Sequence, residues 1–245
     1  MDDSVLAAVV VGFVAQMIDG ALGMAYGVSS TAFLLSLNVP PAPASAAVHT
    51  AEMIVSGVSG LAHLRFGNVD RTLFRRLVLP GVIGGTLGAA LLSALPGERI
   101  KPFVSAYLLA MGVYICYRAA TKSPPRPPQR GVAPLALAGG FFDAIGGGGW
   151  GPIVTTHLVA NGHEPRLAVG SVNLAEFFVT IAEATTFFLT LGIVHWRIIF
   201  GLVLGGVVAA PLAAHSARRL PARLIQWMVG LLITGLSLHT LLRAL

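Results

Sequence analysis

The sequence predicts an all-α polytopic membrane protein with two homologous halves. Each half is expected to hold a pair of short half-helices around a glycine-rich break, followed by three spanning helices. Three observations carry this. Of the 245 residues, 55% are hydrophobic and 11% are charged, with a mean hydropathy of +0.80, whereas a soluble domain carries about 25% charged residues. The basic residues fall in short gaps between apolar runs, as they do in membrane loops. A nucleic-acid binder would gather them on one soluble face, so the pI near 10.2 is no sign of nucleic acid. Third, the chain repeats itself.

Asp19 and Asp143 lie 124 positions apart. At that spacing Gly23 meets Gly147, Gly27 meets Gly151, Thr31 meets Thr155, Pro41 meets Pro165 and Glu52 meets Glu176. One inserted residue shifts the spacing to 125, where Gly67 meets Gly192, Gly81 meets Gly206 and Pro96 meets Pro221. Repeat one spans residues 1–120 and repeat two 132–245, together one transmembrane unit. Between them, 121–131 reads "TKSPPRPPQRG", which cannot be helical throughout.

The chain opens on "MDDSVLAAVV", with no basic segment of the kind that starts a cleaved signal peptide. The first apolar run, Val5 to Ile18, has 14 residues and as a helix would reach only ~21 Å, against a bilayer core of ~30 Å. Tyr26 to Leu37 is no longer. Between them lies "DGALGMA", and at the matching place in half two "DAIGGGGW". The pair reads as one broken helix that crosses once, or as a hairpin whose tip reaches the midplane and returns. Ala44–Leu64, Leu73–Leu95 and Pro102–Tyr117 follow as crossings, the last holding the single cysteine, Cys116, as a small buried hydrophobe.

Charge chooses between the two readings. With hairpins and the N-terminus outside, the halves are inverted. Twelve basic residues then lie inside (Arg65, Arg71, Arg75, Arg76, Arg118, Lys122, Arg126, Arg130, Arg166, Arg218, Arg219, Arg223) and four outside (Arg99, Lys101, Arg197, Arg243). Single crossings give parallel halves and at best ten against six. The positive-inside rule favours inversion, with Arg166 cytoplasmic and His195 outside.

Inverted repeats with glycine-interrupted segments at matching positions are the pattern of secondary transporters, which bind substrate near the midplane. Irregular backbone at that depth must be satisfied by protein or by a wet cavity. Glycines let backbone N–H groups approach a ligand, and a half-helix beginning there points its positive end at the same place. An oxyanion suits both. The candidate substrate-binding residues are Gly23, Tyr26, Gly27, His49, Gly146, Gly147, Gly148, Gly149, Trp150 and Asn173. The competing reading is a close-packing seam. Half one carries Leu22, Met24 and Ala25 opposite Gly146, Gly148 and Gly149, so its tip is the less adaptable. Trp196 and Trp227 read as interface anchors.

The third run of each half carries a polar stripe at helical spacing: His49, Glu52, Ser56 and His63, then Asn173, Glu176, Thr180 and Glu183. Carboxylates within a span are functional candidates by default. Glu52 and Glu176, with Asp19 and Asp143, are the candidates for proton coupling. The alternatives are interhelical hydrogen bonds for the glutamates and helix capping for the aspartates.

Nothing points to an enzyme, a cofactor or a metal. "HTAE" at His49 lacks the second histidine of a zinc-protease helix. There is no Gly-x-Ser-x-Gly, Walker or CxxC sequence, and His157, His163, His195, His215 and His239 keep no ligand spacing. The partners expected are a small anion, the lipid bilayer and protons. A homodimer is left open, and nucleic acid is excluded.

"DAIGGGGWGPIVTT", "VGSVNLAEFFVT" and "HLRFGNVDRTLFRRLVLPGVIGGTLGA" resemble the TauE/SafE sulfite-exporter family, also called toluene-sulfonate uptake permeases. The resemblance covers nearly the whole chain in two copies. It implies a bacterial inner-membrane permease for sulfite, an organosulfonate such as sulfoacetate, or a related sulfur oxyanion, working without ATP. It fixes neither the anion nor the direction of transport. A passive anion channel of similar architecture is the alternative.

Overall fold

The computed structural model describes residues 3–121, 131–193, 195–216 and 222–244, and all its regular elements are helices. Half one gives α1 (Asp3–Leu22), α2 (Tyr26–Ser36), α3 (Pro41–Arg65), α4 (Arg71–Ala94) and α5 (Gly97–Ala120). Half two gives α6 (Val132–Gly146), a π-helical turn (Gly151–Thr155) running into α7 (Thr156–Ala160), then α8 (Pro165–Leu191), α9 (Trp196–Ser216) and α10 (Ala222–Ala244). The joint expected at 121–131 falls on 122–130, outside the described residues. So do Lys122, Arg126, Arg130, Arg218 and Arg219.

Among the described residues five helices are long and apolar enough to cross a membrane: Val5–Leu22, Arg71–Ala94, Arg99–Ala120, Pro165–Leu191 and Trp196–His215. The first corrects the expectation of a short opening segment. Apolar composition stops at Ile18, but the helix continues through Asp19 and Gly20 to Leu22, 20 residues in all. Asp19 needs no break in the helix because it is buried against protein at 3% exposure. The limb expected after the second break is instead split. Pro152 has no N–H to give the helix ladder, and the turn around it widens to π geometry before α7 resumes.

The helices pack through small residues. A methyl on Gly84 or Gly88 of α4 would strike the carbonyls of Leu137 or Phe141 of α6. A methyl on Gly201 or Gly205 of α9 would meet those of Val5 or Val9 of α1. The helix pairs α4–α6 and α9–α1 correspond in the sequence repeat, and close backbone approach is how helices associate where lipid offers no hydrophobic drive. Outside the seams, Leu79, Phe103, Leu189 and Ile193 are 66–77% exposed, an apolar surface suited to lipid.

Chain direction follows from contact to contact. Ser59 Oγ of α3 donates to Asn173 Oδ1 of α8. Ser56 lies beside Thr180, and Arg166 reaches Asn68 just past the end of α3. The two third helices thus run antiparallel, and α5 and α10 do the same, with Gly112 at Thr234 and Gly230 at Cys116. On one face, Val5 lies at Gly201, Thr190 donates to Ser93, and Lys101 donates to Asn38. Hence α1 enters and α2 leaves on that same face, as a hairpin. The start of α6 and the end of α7 share a small cavity lined by Leu135, His157 and Asn161 on the opposite face, where α8 begins. The two hairpins therefore enter from opposite faces.

Candidate functional site

The hairpin tips meet at the centre. A methyl on Gly27 would stand 2.6 Å from Gly148 Cα, and one on Gly151 would strike Met24 Cα. Thr31 Oγ1 donates to the Gly147 carbonyl, and a methyl on Gly23 would touch Thr155. Gly27–Gly148 and Met24–Gly151 are a repeat-related pair of contacts. Thr31–Gly147 and Gly23–Thr155 are another. Each contact between the tips thus has a mate related to it by the sequence repeat.

Left-handed or otherwise positive φ is needed at Gly23, Ala25, Gly147 and Gly148, with Gly148 at 146°. That angle excludes a side chain at Gly148, and so does space: a Cβ there would land on the Val28 nitrogen. Gly146 and Gly149 are held clear by another neighbour, since Cβ atoms there would strike the ring and the hydroxyl of Tyr107 respectively. Gly148→Val would therefore disrupt packing whatever the tract binds.

The amides of the tract are already engaged. Gly147 and Gly148 N–H donate to the Asp143 carbonyl. Gly149 and Trp150 N–H donate to Asp143 Oδ1 at 2.6 and 2.9 Å. Asp143 sits inside α6, one turn before its end, and reaches across the break to cap the segment that follows. Asp19 holds the same place in half one, buried one turn before the end of α1. A resident carboxylate thus occupies the anion nest of the second tip.

The remaining candidates spread over two environments. Tyr26 and Trp150 are repeat partners, both buried. Tyr26 Oη donates to the Leu202 carbonyl, and Trp150 Nε1 to that of Val172. Trp150 packs among Leu73, Leu77, Val154 and Val179, away from the crossing. Asn173 accepts from Ser59 and donates to the Val169 carbonyl. His49, Glu52, Glu176 and Glu183 line the α3–α8 interface, each at 3% exposure or less. One ligand atom each from His49, Asp143 and Glu183 lies within 4.8 Å of the others, the one such grouping among the described residues.

A cavity of about 620 Å³ opens on the face where α8 begins. Its floor is the first tip, Ala21, Leu22 and Met24, with Thr155 and Thr156 beside it. Arg118, Arg166 and Arg223 line it from α5, α8 and α10, against one acid, Glu164. Arg166 is positioned by Asn68 Oδ1 at 3.2 Å. Thr155 Oγ1 is buried with no hydrogen-bond partner. On the far side of the crossing Tyr107 covers the second tip and donates to the Gly148 carbonyl at 3.2 Å.

Along the chain the three arginines count only toward the charge on one side. Their convergence depends on helices whose relation is not legible along the chain. Thr31 and Thr155 did carry a signal, as a matched pair in the repeat. Tyr107 did not, since its counterpart is Leu232.

A family model described as "Sulfite exporter TauE/SafE" matches residues 8–240. The chain is 42% identical over 242 residues to "Probable membrane transporter protein YtnM" of Bacillus subtilis (strain 168), covering 95% of this chain and 81% of that protein. It is 24% identical over 248 residues to "Probable membrane transporter protein ORF9" of a Sinorhizobium species, covering 95% and 90% respectively. No solved structure matches it significantly.

Proposed function

The chain belongs to the sulfite exporter TauE/SafE family, and from that premise we propose a secondary carrier that moves sulfite, an organosulfonate or a related sulfur oxyanion across the bacterial inner membrane. The family and the relatives named as membrane transporters support transport. The anion class rests on the family description and on the charge of the cavity.

The cavity carries the reading. Among the described residues three guanidiniums and one carboxylate, Glu164, line the opening, and such an excess of positive charge concentrates anions at a cavity mouth. Its lining includes Leu22 and Met24 of the first tip and Thr155 beside the second. A channel needs a continuous path, whereas a carrier needs a site closed on one side. In this reading Tyr107, whose hydroxyl donates to the Gly148 carbonyl, is the group that closes the far side. The antiparallel α3 and α8 and the opposed hairpins support inverted repeats, the arrangement in which one half rocks against the other around a midplane site. The face bearing Arg118, Arg166 and Arg223 is then cytoplasmic, and the conformer is open inward. The anion would meet Thr155 and the first tip before any amide of the glycine tract, because Asp143 holds those amides.

The test is direct binding to purified protein of sulfite, sulfate, sulfoacetate, taurine and thiosulfate. Saturable binding of at least one sulfur oxyanion, weakened by neutralising the cavity arginines, is expected. No binding by any of the five would remove the substrate assignment.

A further inference from the structure

His49 is fully buried on α3, and both of its ring nitrogens face acceptors. Nδ1 lies 3.1 Å from Glu52 Oε2 and 3.2 Å from Glu183 Oε2. Nε2 lies 3.2 Å from the Asp143 carbonyl oxygen. A neutral imidazole has one N–H and one lone pair. With the hydrogen on Nε2, the Nδ1 lone pair would point at two carboxylates. With the hydrogen on Nδ1, the other lone pair would point at a carbonyl that can only accept. The contacts are all favourable only if the ring is doubly protonated, or if a protonated glutamate donates to Nδ1. Either way the group holds one proton more than a neutral ring and two carboxylates contain.

His63 is the contrast within the same helix. It is equally buried, but its Nδ1 accepts from the Asn68 amide at 3.1 Å and its Nε2 donates to the Gly20 carbonyl at 3.0 Å. Arg166 fixes that amide by donating to Asn68 Oδ1. A neutral ring satisfies every contact there.

We propose that His49, Glu52 and Glu183 form a proton-binding site that clamps the second hairpin to α3 and α8. The proton lets His49 hold the Asp143 carbonyl through Nε2–H and face both carboxylates through Nδ1 at once, and Asp143 is the residue whose side chain caps the second tip. Neither carboxylate oxygen of Glu183 has a hydrogen-bond partner among the described residues, so Oε2 meets His49 Nδ1 as a charge contact, and a methyl on Gly85 of α4 would stand 2.5 Å from Oε1. When the proton leaves, one ring nitrogen presents a lone pair to an oxygen, and one tie of the clamp must break. The other ionisable groups around the site are Asp143 on α6, Asp19 on α1, Glu176 on α8 and the phenols of Tyr26 and Tyr107, which donate elsewhere, to the Leu202 and Gly148 carbonyls. All are acids, so none supplies the second donor as a cation would. The occupied ring also leaves no lone pair for a metal. This coupling role rests on the carrier reading above, whereas the experiment uses no transported anion and so fails or succeeds separately.

The perturbation is Glu52→Gln with Glu183→Gln, in a Cys116→Ser background carrying Ile145→Cys at the second tip. A carboxamide donates to Nδ1 of a neutral ring, so the double variant keeps the clamp without the proton. Labelling by a membrane-impermeant maleimide is followed from pH 5 to 9. Each rate is divided by that of the same variant denatured in SDS, which cancels thiol ionisation. Without the glutamine substitutions the normalised rate should rise ~10-fold or more with pH, the scale set by losing a hydrogen bond to a charged group. In the double variant it should stay low and flat. Each single variant should move the transition by about one pH unit or more, which keeps the test decisive if the double variant does not fold. A flat profile in the parent, or an unshifted rise in all the variants, overturns the proposal.

Discussion

Neutralising Arg223 should weaken the anion without harming the fold. The side chain lines the cavity mouth at the start of α10. Treated as a sphere, a cavity of about 620 Å³ has a radius of about 5 Å, placing a guanidinium ~6 Å from a central anion, where one charge pair is worth ~0.7 kcal/mol in bulk water and ~2.8 kcal/mol at an effective dielectric of 20. An open cavity lies between these limits. Arg223→Gln should therefore cost about 1.4 kcal/mol for a monoanion, or ~10-fold in Kd, and about twice that energy for a dianion. Arg223→Lys should stay close to wild type. The assay is anion binding at low salt with the tightest of the five sulfur compounds, repeated near 1 M salt, where the Debye length is ~3 Å and the difference should largely vanish. Equal affinity of Arg223→Gln and wild type at low salt would refute an electrostatic role. A loss shared by Arg223→Lys would assign the effect to shape.

Three further outcomes follow from the geometry. Cysteines at positions 166 and 195, in a Cys116→Ser background, should react from opposite sides of the membrane, Arg166→Cys from the cytoplasm; the reverse sidedness would contradict the inverted arrangement. Asp143→Ala strands the Gly149 and Trp150 N–H groups, each worth ~1–3 kcal/mol when unpaired, so thermal stability in detergent should fall sharply while Asp143→Asn, which still accepts, recovers most of it; equal damage by Asn would deny the capping role. Trp150→Ala empties a wholly buried site and should destabilise by ~3–5 kcal/mol, measured by unfolding in mixed micelles, whereas an indole that walls the substrate site would instead change binding at near-constant stability.

Much of this architecture could be read along the chain because membrane helices are long and the repeat keeps Gly, Pro, Asp and Glu in register. The Asp19–Asp143 pairing located both breaks, and the polar stripes of the third runs picked out His49, Glu52, Asn173 and Glu176, all of which are buried. Hydropathy failed at Leu22, because it cannot see that protein rather than lipid surrounds Asp19. The glycine tract was read for its open amides, yet Asp143 takes them, a contact across a tight break that depends on left-handed backbone at Gly147. Glu183 stood in the stripe, but its meeting with His49 depends on the antiparallel register of α3 and α8. The cavity arginines and Tyr107 come together only through packing between helices distant in sequence.

The carrier claim itself is tested most directly by counterflow in proteoliposomes. Vesicles are loaded with a high concentration of the sulfur oxyanion that binds best and diluted into a trace of the same anion carrying label. A carrier returns loaded, so labelled anion should accumulate transiently inside, with a rate that saturates in the external anion and falls when Arg223 is neutralised. Conductive flux that rises linearly with concentration, shows no transient accumulation and responds only to voltage would contradict the account and identify a channel.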